Sequence, residues 1–293
     1  MAGRLSLFTF HRSPITAYCS LLTAHRSLLT AYRLLLTAYS PHPSPMRLNS
    51  FQGKRLLALA RGGDYAHAGE TDSIDLVWNP LPKNPDQRVL DAGCGRGGTA
   101  AYIQRAGWGK VTGIDIEGES IQRAREIYPE ITFDVCSVEE AARIGSGIFD
   151  IICCFNSFYA FSDQPAALRA FAHSAKPEAH LAIFEYTDPG TFKQSALGQH
   201  VELLGWHPLI LSTISTLLTE TGWTLDTIQD VTTDYIRWYK TFSDRIRELR
   251  PKLIEECGIE TWQYASNFYD LMHETIKTGY MGGAIVYAKH PAN

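Results

Sequence analysis

The segment 88–98, RVLDAGCGRGG, constrains this chain more than any other stretch of it. A short apolar run ends in an acid, and a cluster of glycines begins two residues later. That pattern predicts a strand turning sharply into a helix, because glycine tolerates the backbone angles of a tight turn and lets a ligand press against the main chain. Downstream, strand-like runs at 110–115, 131–135, 149–155 and 180–186 alternate with helix-like stretches at 99–105, 117–128 and 165–174, and a last strand is read at 283–289. Such alternation predicts an α/β fold, a largely parallel sheet with helices on both faces. Ligands of such sheets bind outside the carboxyl ends of the strands.

Glycine spacing alone leaves the cofactor open, since Gly93, Gly95 and Gly98 also satisfy the G-x-G-x-x-G pattern of nicotinamide and flavin enzymes. Asp91 separates the two readings. A carboxylate at that strand end would repel a pyrophosphate, yet it suits the cationic end of an amino-acid-bearing sulfonium cofactor. Asp115, closing the second strand, can accept hydrogen bonds from both ribose hydroxyls of either cofactor and does not discriminate.

VLDAGCGRGG followed by GIDI resembles the first two motifs of class I S-adenosylmethionine (SAM)-dependent methyltransferases, and the similarity extends from about residue 62 to residue 289. The resemblance implies a Rossmann-like sheet, mostly parallel with the last strand antiparallel. It also implies SAM as the cofactor, held by Asp91, Gly93, Gly95, Gly97, Asp115, Ile116, Ser137, Val138 and Phe155. Ser137 stands where the family usually carries an Asp that meets the adenine amino group, and a hydroxyl can accept the same bond. Phe155 is expected to face the cofactor. The implied reaction is in-line transfer of a methyl group to a nitrogen, oxygen or carbon of a small-molecule acceptor, with alignment and desolvation supplying most of the acceleration. Two alternatives stay open: a SAM-fold protein that binds a partner without catalysis, and a nicotinamide-dependent oxidoreductase.

Three aromatic segments are expected to cover the strand ends: a lid at 62–70 (GGDYAHAGE), the run 156–161 (NSFYAF) after the fourth strand, and a helical cap insertion at 232–280 that opens with DYIRWYKTF. This layout resembles the methyltransferases of phosphoethanolamine, tocopherols and sterols. In the phosphobase enzymes a lid tyrosine works with a histidine after the fourth strand. Tyr65 matches the first, Ala160 occupies the place of the second, and His67 is the substitute at hand. Tyr65 and His67 are therefore the candidate catalytic residues. Asn156, Tyr159, Tyr235, Trp238 and Tyr239 are the candidate acceptor-binding residues, expected to join Tyr65 in an enclosed aromatic chamber. Asp150 is read as structural although it is placed near the active end of the sheet.

Charge excludes one class of substrate. No acidic residue precedes Asp64, while eight basic residues do; the other 19 basic residues face 31 acidic ones, a net −12. A body that acidic repels phosphate backbones, which argues against nucleic acid. Residues 6–40 read as five seven-residue units, from SLFTFHR to LLLTAYS. They lack the apolar seam and charged flanks of a coiled coil. Either a targeting peptide or a translated tandem repeat upstream of a start at Met46 accounts for them, so residues 1–45 are expected to lie outside a methyltransferase domain of residues 46–293. No run reaches the length of a membrane span. The six cysteines contain no C-x-x-C pair, which suits reduced thiols and a cytoplasmic setting. The histidines form no cluster at ligand spacing, so no metal is implied, and the oligomeric state is left open.

Overall fold

The structure is a computed structural model that describes Leu48 and residues 51–201 and 204–292; the seven-residue repeat lies outside the described residues. Seven strands form one sheet: β1 (Arg88–Ala92), β2 (Lys110–Asp115), β3 (Thr132–Val135), β4 (Phe149–Phe155), β5 (Ala175–Thr187), β6 (Thr224–Asp230) and β7 (Gly282–Lys289). Their order is β3-β2-β1-β4-β5-β7-β6. Pairings from β3 through β5 are parallel, and β7 runs antiparallel between β5 and β6. This is the expected sheet, mostly parallel with its last strand reversed.

Alternation along the central strands divides the interior into two layers. Val89, Ile151, Cys153 and Ala182 join one buried cluster, while their neighbours Leu90, Ile152, Cys154 and Ile183 join the other. Successive side chains of a strand point to opposite faces, so the adjacent Cys153 and Cys154 face away from each other, and both are free thiols. The first layer is covered by α1 (Phe51–Arg61), α2 (Glu70–Trp78), α3 (Gly98–Arg105), α4 (Gly118–Ile127) and the cap helices; the second by α5 (Gln164–Ser174) and α7 (Leu211–Glu220), with a 3-10 turn over Val138–Arg143. A short α6 (Ala196–Val201) lies between β5 and α7.

The insertion between β6 and β7 folds into α8 (Thr232–Glu248), α9 (Arg250–Cys257) and α10 (Ile259–Lys277). In α8 the buried residues are Tyr235, Trp238, Tyr239, Phe242, Ser243 and Ile246. Their spacing of three and four is one helical stripe, which explains why a segment so rich in aromatics is helical and lies flat on the sheet. The segment 223–231, from which the insertion departs, contains β6, although TLDTIQD has no apolar run to mark it as a strand. It is an edge strand whose residues are mostly exposed, and its pairing with β7 supplies what its composition does not. Among the described residues, no helix is long and apolar enough to cross a membrane.

Candidate active site

The glycine turn folds back onto β2, with the Gly93 and Cys94 amides donating to the Ile114 carbonyl at 2.8 and 2.9 Å. Gly93 and Gly97 adopt φ of 79° and 85°, and space excludes side chains as firmly as conformation does. A Cβ on Gly93 would fall 2.5 Å from Ser157 Cβ, and one on Gly97 2.7 Å from Phe133. The turn therefore brings bare backbone and the first free N–H groups of α3 to the carboxyl edge of β1.

Two carboxylates flank that backbone. Asp91 is 1% exposed in β1, and its Oδ2 has no hydrogen-bond partner. Burial, reinforced by the nearby Asp115, raises its pKa to about 7. A buried carboxyl oxygen without a donor is unfavourable until something supplies one, and an ammonium group is the donor that suits it. Asp115 sits at the end of β2. Its Oδ2 accepts the Gly95 amide at 2.8 Å and its Oδ1 the Glu117 amide at 2.9 Å. Beside it Ile116 is 74% exposed, a bare apolar side chain fit to cover one face of a planar base. Ser137 donates its hydroxyl to Glu139, with Val138 buried behind it.

The lid is locked to this turn. Asp64 accepts from Arg96 Nε at 2.7 Å and from the Tyr128 hydroxyl at 3.1 Å. Its carbonyl oxygen lies 2.5 Å from where a Cβ on Gly98 would be, so at Gly98 the lid backbone leaves no room for a side chain. His67 is buried with both ring nitrogens engaged: Nδ1 lies 3.0 Å from the Ala68 carbonyl and Nε2 2.9 Å from the Thr99 hydroxyl. A proton on Nδ1 satisfies both contacts, and burial lowers the pKa to about 4, which keeps the ring neutral. The ring lies 5.0 Å from that of Phe155, so Phe155 faces the lid histidine. Tyr65 is half-buried, its ring 5.8 Å from His67, and it borders a hollow of about 310 Å³ with Tyr102 and Tyr128 on the α3 side.

The cap side is organised by a residue the sequence reading missed. Glu185, fully buried at the end of β5, accepts the Tyr186 amide at 2.8 Å, the Tyr159 amide at 2.9 Å and Asn156 Nδ2 at 3.3 Å. Asn156, at an unusual φ of 45°, donates also to the Tyr235 hydroxyl at 2.8 Å and accepts the Ala68 amide at 3.1 Å. Burial raises the Glu185 pKa to about 7. Around this centre Tyr159, Trp206, Tyr186, Tyr235, Tyr239 and Trp238 form a continuous set of ring contacts, with Tyr159 and Trp206 only 4.3 Å apart. Asn156, Tyr159, Tyr235, Trp238 and Tyr239 therefore converge, as does the backbone of the lid. They differ from an empty chamber in one respect: Tyr235 and Tyr239 are buried against each other and against their neighbours. Tyr65 reaches them through His67 and Phe184 rather than directly. A hollow of about 530 Å³ opens beyond Trp206 between α5 and α7 and is lined by Phe161, Asp188, Phe192 and Leu217 among others.

One placement is corrected. Asp150 stands at the amino end of β4, where it accepts the Arg88 amide at 2.7 Å and Lys176 Nζ at 2.7 Å. It braces the edge of the sheet opposite the site. Glu185 had a legible signal, since it is an acid near the carboxyl end of its strand, as Asp91 and Asp115 are in theirs. Lys54 had none: it donates to both oxygens of Asp115 from a helix that carries no motif.

Comparison with known proteins fits this geometry. A phosphoethanolamine N-methyltransferase of Arabidopsis thaliana is 24% identical over 205 residues, 69% of this chain and 42% of that protein. An O-methyltransferase of Pyrenophora dematioidea is 30% identical over 168 residues, 52% of this chain and 62% of its own. The chain thus spans less than two thirds of the length of these curated relatives. Among solved structures, phosphoethanolamine N-methyltransferase 2 of Haemonchus contortus, in complex with phosphomonomethylethanolamine and S-adenosylhomocysteine, aligns with a TM-score of 0.75 at 16% identity, covering 87% of this chain and 62% of that one. A family model described as a methyltransferase domain matches residues 65–228, from the lid through most of β6. With more than half of its length matched, the chain belongs to the methyltransferase-domain family.

Proposed function

We propose that the protein transfers the methyl group of SAM to a small-molecule acceptor held between the lid, the turn after β4 and the cap. The observation that carries this reading is the pair of strand-end acids around a bare glycine turn: Asp91 with one buried oxygen lacking a donor, and Asp115 beside the exposed Ile116. Bound SAM supplies a methyl group on a sulfonium, a good leaving group. Asp91 holds the amino-acid ammonium, Asp115 the ribose hydroxyls, and Ile116 with Val138 the adenine; Ser137 and Glu139 offer acceptors to its amino group. Gly93, Gly95 and Gly97 leave room for the cofactor backbone.

The chain's contribution to the chemistry is alignment and exclusion of water. Asn156, fixed by Glu185 and Tyr235, presents its amide at the strand end nearest the glycine turn, and the partly exposed Tyr159 supplies an aromatic face for a cationic amine or a planar ring, with the buried Tyr235 packed behind. His67 acts here as the pin that holds the lid shut: its nitrogens are engaged, and a pKa near 4 makes it a weak base at neutral pH. Tyr65 shields the α3 side. The exposed Ala160 brings no histidine to this edge, which favours an acceptor whose nucleophile is already free over one that must be deprotonated. The hollow beyond Trp206 gives space for the rest of such a molecule. The acidic body argues against a nucleic-acid acceptor, and the free thiols suit the cytoplasm.

Turnover of SAM to S-adenosylhomocysteine across a library of small amines, phenols and unsaturated lipids tests the reading. Product formation with at least one acceptor class is expected. Cofactor binding with no turnover on any class would favour a binding protein built on the same fold.

A further inference from the structure

A carboxylate offers about four lone-pair positions for hydrogen bonds, and in Asp115 all four are taken. Two go to the Gly95 and Glu117 amides, which belong to the turns on either side and stay with the fold. The other two go to Lys54 Nζ, at 3.2 Å from Oδ1 and 3.1 Å from Oδ2. The ion pair is sheltered, with the lysine side chain 10% and the aspartate 9% exposed, and Glu117 adds a second carboxylate at 3.4 Å. Lys54 also lies over the glycine turn: a Cβ on Gly95 would be 3.8 Å from its Cε. The lysine therefore occupies the positions that a ribose diol needs.

We infer that Lys54 is an internal competitor of the cofactor, a latch that must leave Asp115 before the nucleoside can settle. This rests on the assignment of Asp115 to the ribose. Lys54 is carried by α1, whose last residue is Arg61, seven residues on, two helical turns away on the same face and about 10 Å along the axis. Arg61 is buried, pairs with Glu70 of the lid at 2.8 Å and stacks on Phe242 of the cap at 3.8 Å. Glu70 in turn pairs with Arg245 of α8 at 3.1 Å. One helix thus has its first half in the cofactor site and its end in the joint between lid and cap. Any movement of α1 that accompanies release of Lys54 therefore reaches that joint directly. The differential contact that coupling requires is the exchange of two bonds on Asp115.

The direct test is the reactivity of the lysine amine in the wild-type protein, read by mass spectrometry after a short pulse of acetic anhydride with and without saturating S-adenosylhomocysteine. Labelling of Lys54 rises severalfold with ligand, while Lys176, paired with Asp150 at the opposite edge, does not change. Unchanged or reduced labelling of Lys54 in the saturated protein overturns the latch. In parallel, Lys54→Met binds S-adenosylhomocysteine and plain adenosine at least about fivefold more tightly by calorimetry, and weaker or equal binding overturns the proposal. Asp115→Asn separates the two layers. If that variant keeps wild-type affinity, the ribose assignment itself fails; if it loses affinity while Lys54→Met gains none, only the latch fails.

Discussion

The two halves of the site are built on opposite principles. On the cofactor side, over β1 and β2, groups are left incomplete: a carboxyl oxygen of Asp91 without a donor, Ile116 bare to solvent, glycines where no Cβ fits. On the acceptor side, over β4 and β5, the polar groups at the strand ends are satisfied, and the buried Trp238 Nε1 is left without a partner. Glu185 has accepted amides from both flanking segments, Asn156 is bonded on both ends, and Tyr235 and Tyr239 are packed without exposure. On the proposed reading, the first half needs only the departure of Lys54 from Asp115 to receive a ligand of fixed chemistry, whereas the second must repack buried rings to admit one. A common cofactor with varied acceptors calls for that division, because function is grafted onto the ends of a shared sheet.

The largest effect that sharpens this contrast is expected from Asp115→Ala. It removes the acceptor proposed for both ribose bonds, and each charge-assisted bond contributes about 1.5 to 3 kcal/mol. Calorimetry should show S-adenosylhomocysteine weakened by about 10- to 100-fold, partly offset by release of Lys54. Wild-type affinity would remove Asp115 from the cofactor half.

A smaller and differently placed effect is expected from Glu185→Gln. The substituted amide turns an N–H₂ donor toward backbone donors, so the hold on Tyr159 and Asn156 loosens at a cost of about 1 to 3 kcal/mol in stability. Turnover on an identified acceptor should fall by about tenfold while S-adenosylhomocysteine affinity stays within about twofold, because the residue positions the acceptor side alone. Equal losses in turnover and cofactor affinity would show that the two halves are not separable in this way.

The same contrast governs what could be read without coordinates. The cofactor half is written in contiguous segments, since a strand-end acid, a glycine turn and a second acid one strand later carry their spacing with them. The acceptor half is assembled by packing. Aromatic residues at helical spacing in DYIRWYKTF mark a buried face of α8, yet nothing in that spacing tells whether the face lines a cavity or fills it. His67 shows the limit more sharply. A histidine among glycines in a lid invites a catalytic role, and its partners Thr99 and Ala68 become visible only once the lid is laid on α3. Lys54 was illegible because an ion pair 61 residues apart leaves no local trace.

As proposed, the cradle recognises a nucleoside carrying an amino-acid ammonium, with Asp91 as the recognising group. Calorimetry of S-adenosylhomocysteine, adenosine and NAD at several pH values tests it most directly. Burial places the free Asp91 near a pKa of about 7; a cationic ligand favours the carboxylate form, so below that value binding must first release a proton and affinity rises as pH increases through it. At pH 7.5 S-adenosylhomocysteine should bind at least about tenfold more tightly than adenosine, NAD should show no measurable binding, and the advantage should shrink toward pH 6 and disappear in Asp91→Asn. Equal affinity for S-adenosylhomocysteine and adenosine at pH 7.5, or binding of NAD, would contradict it.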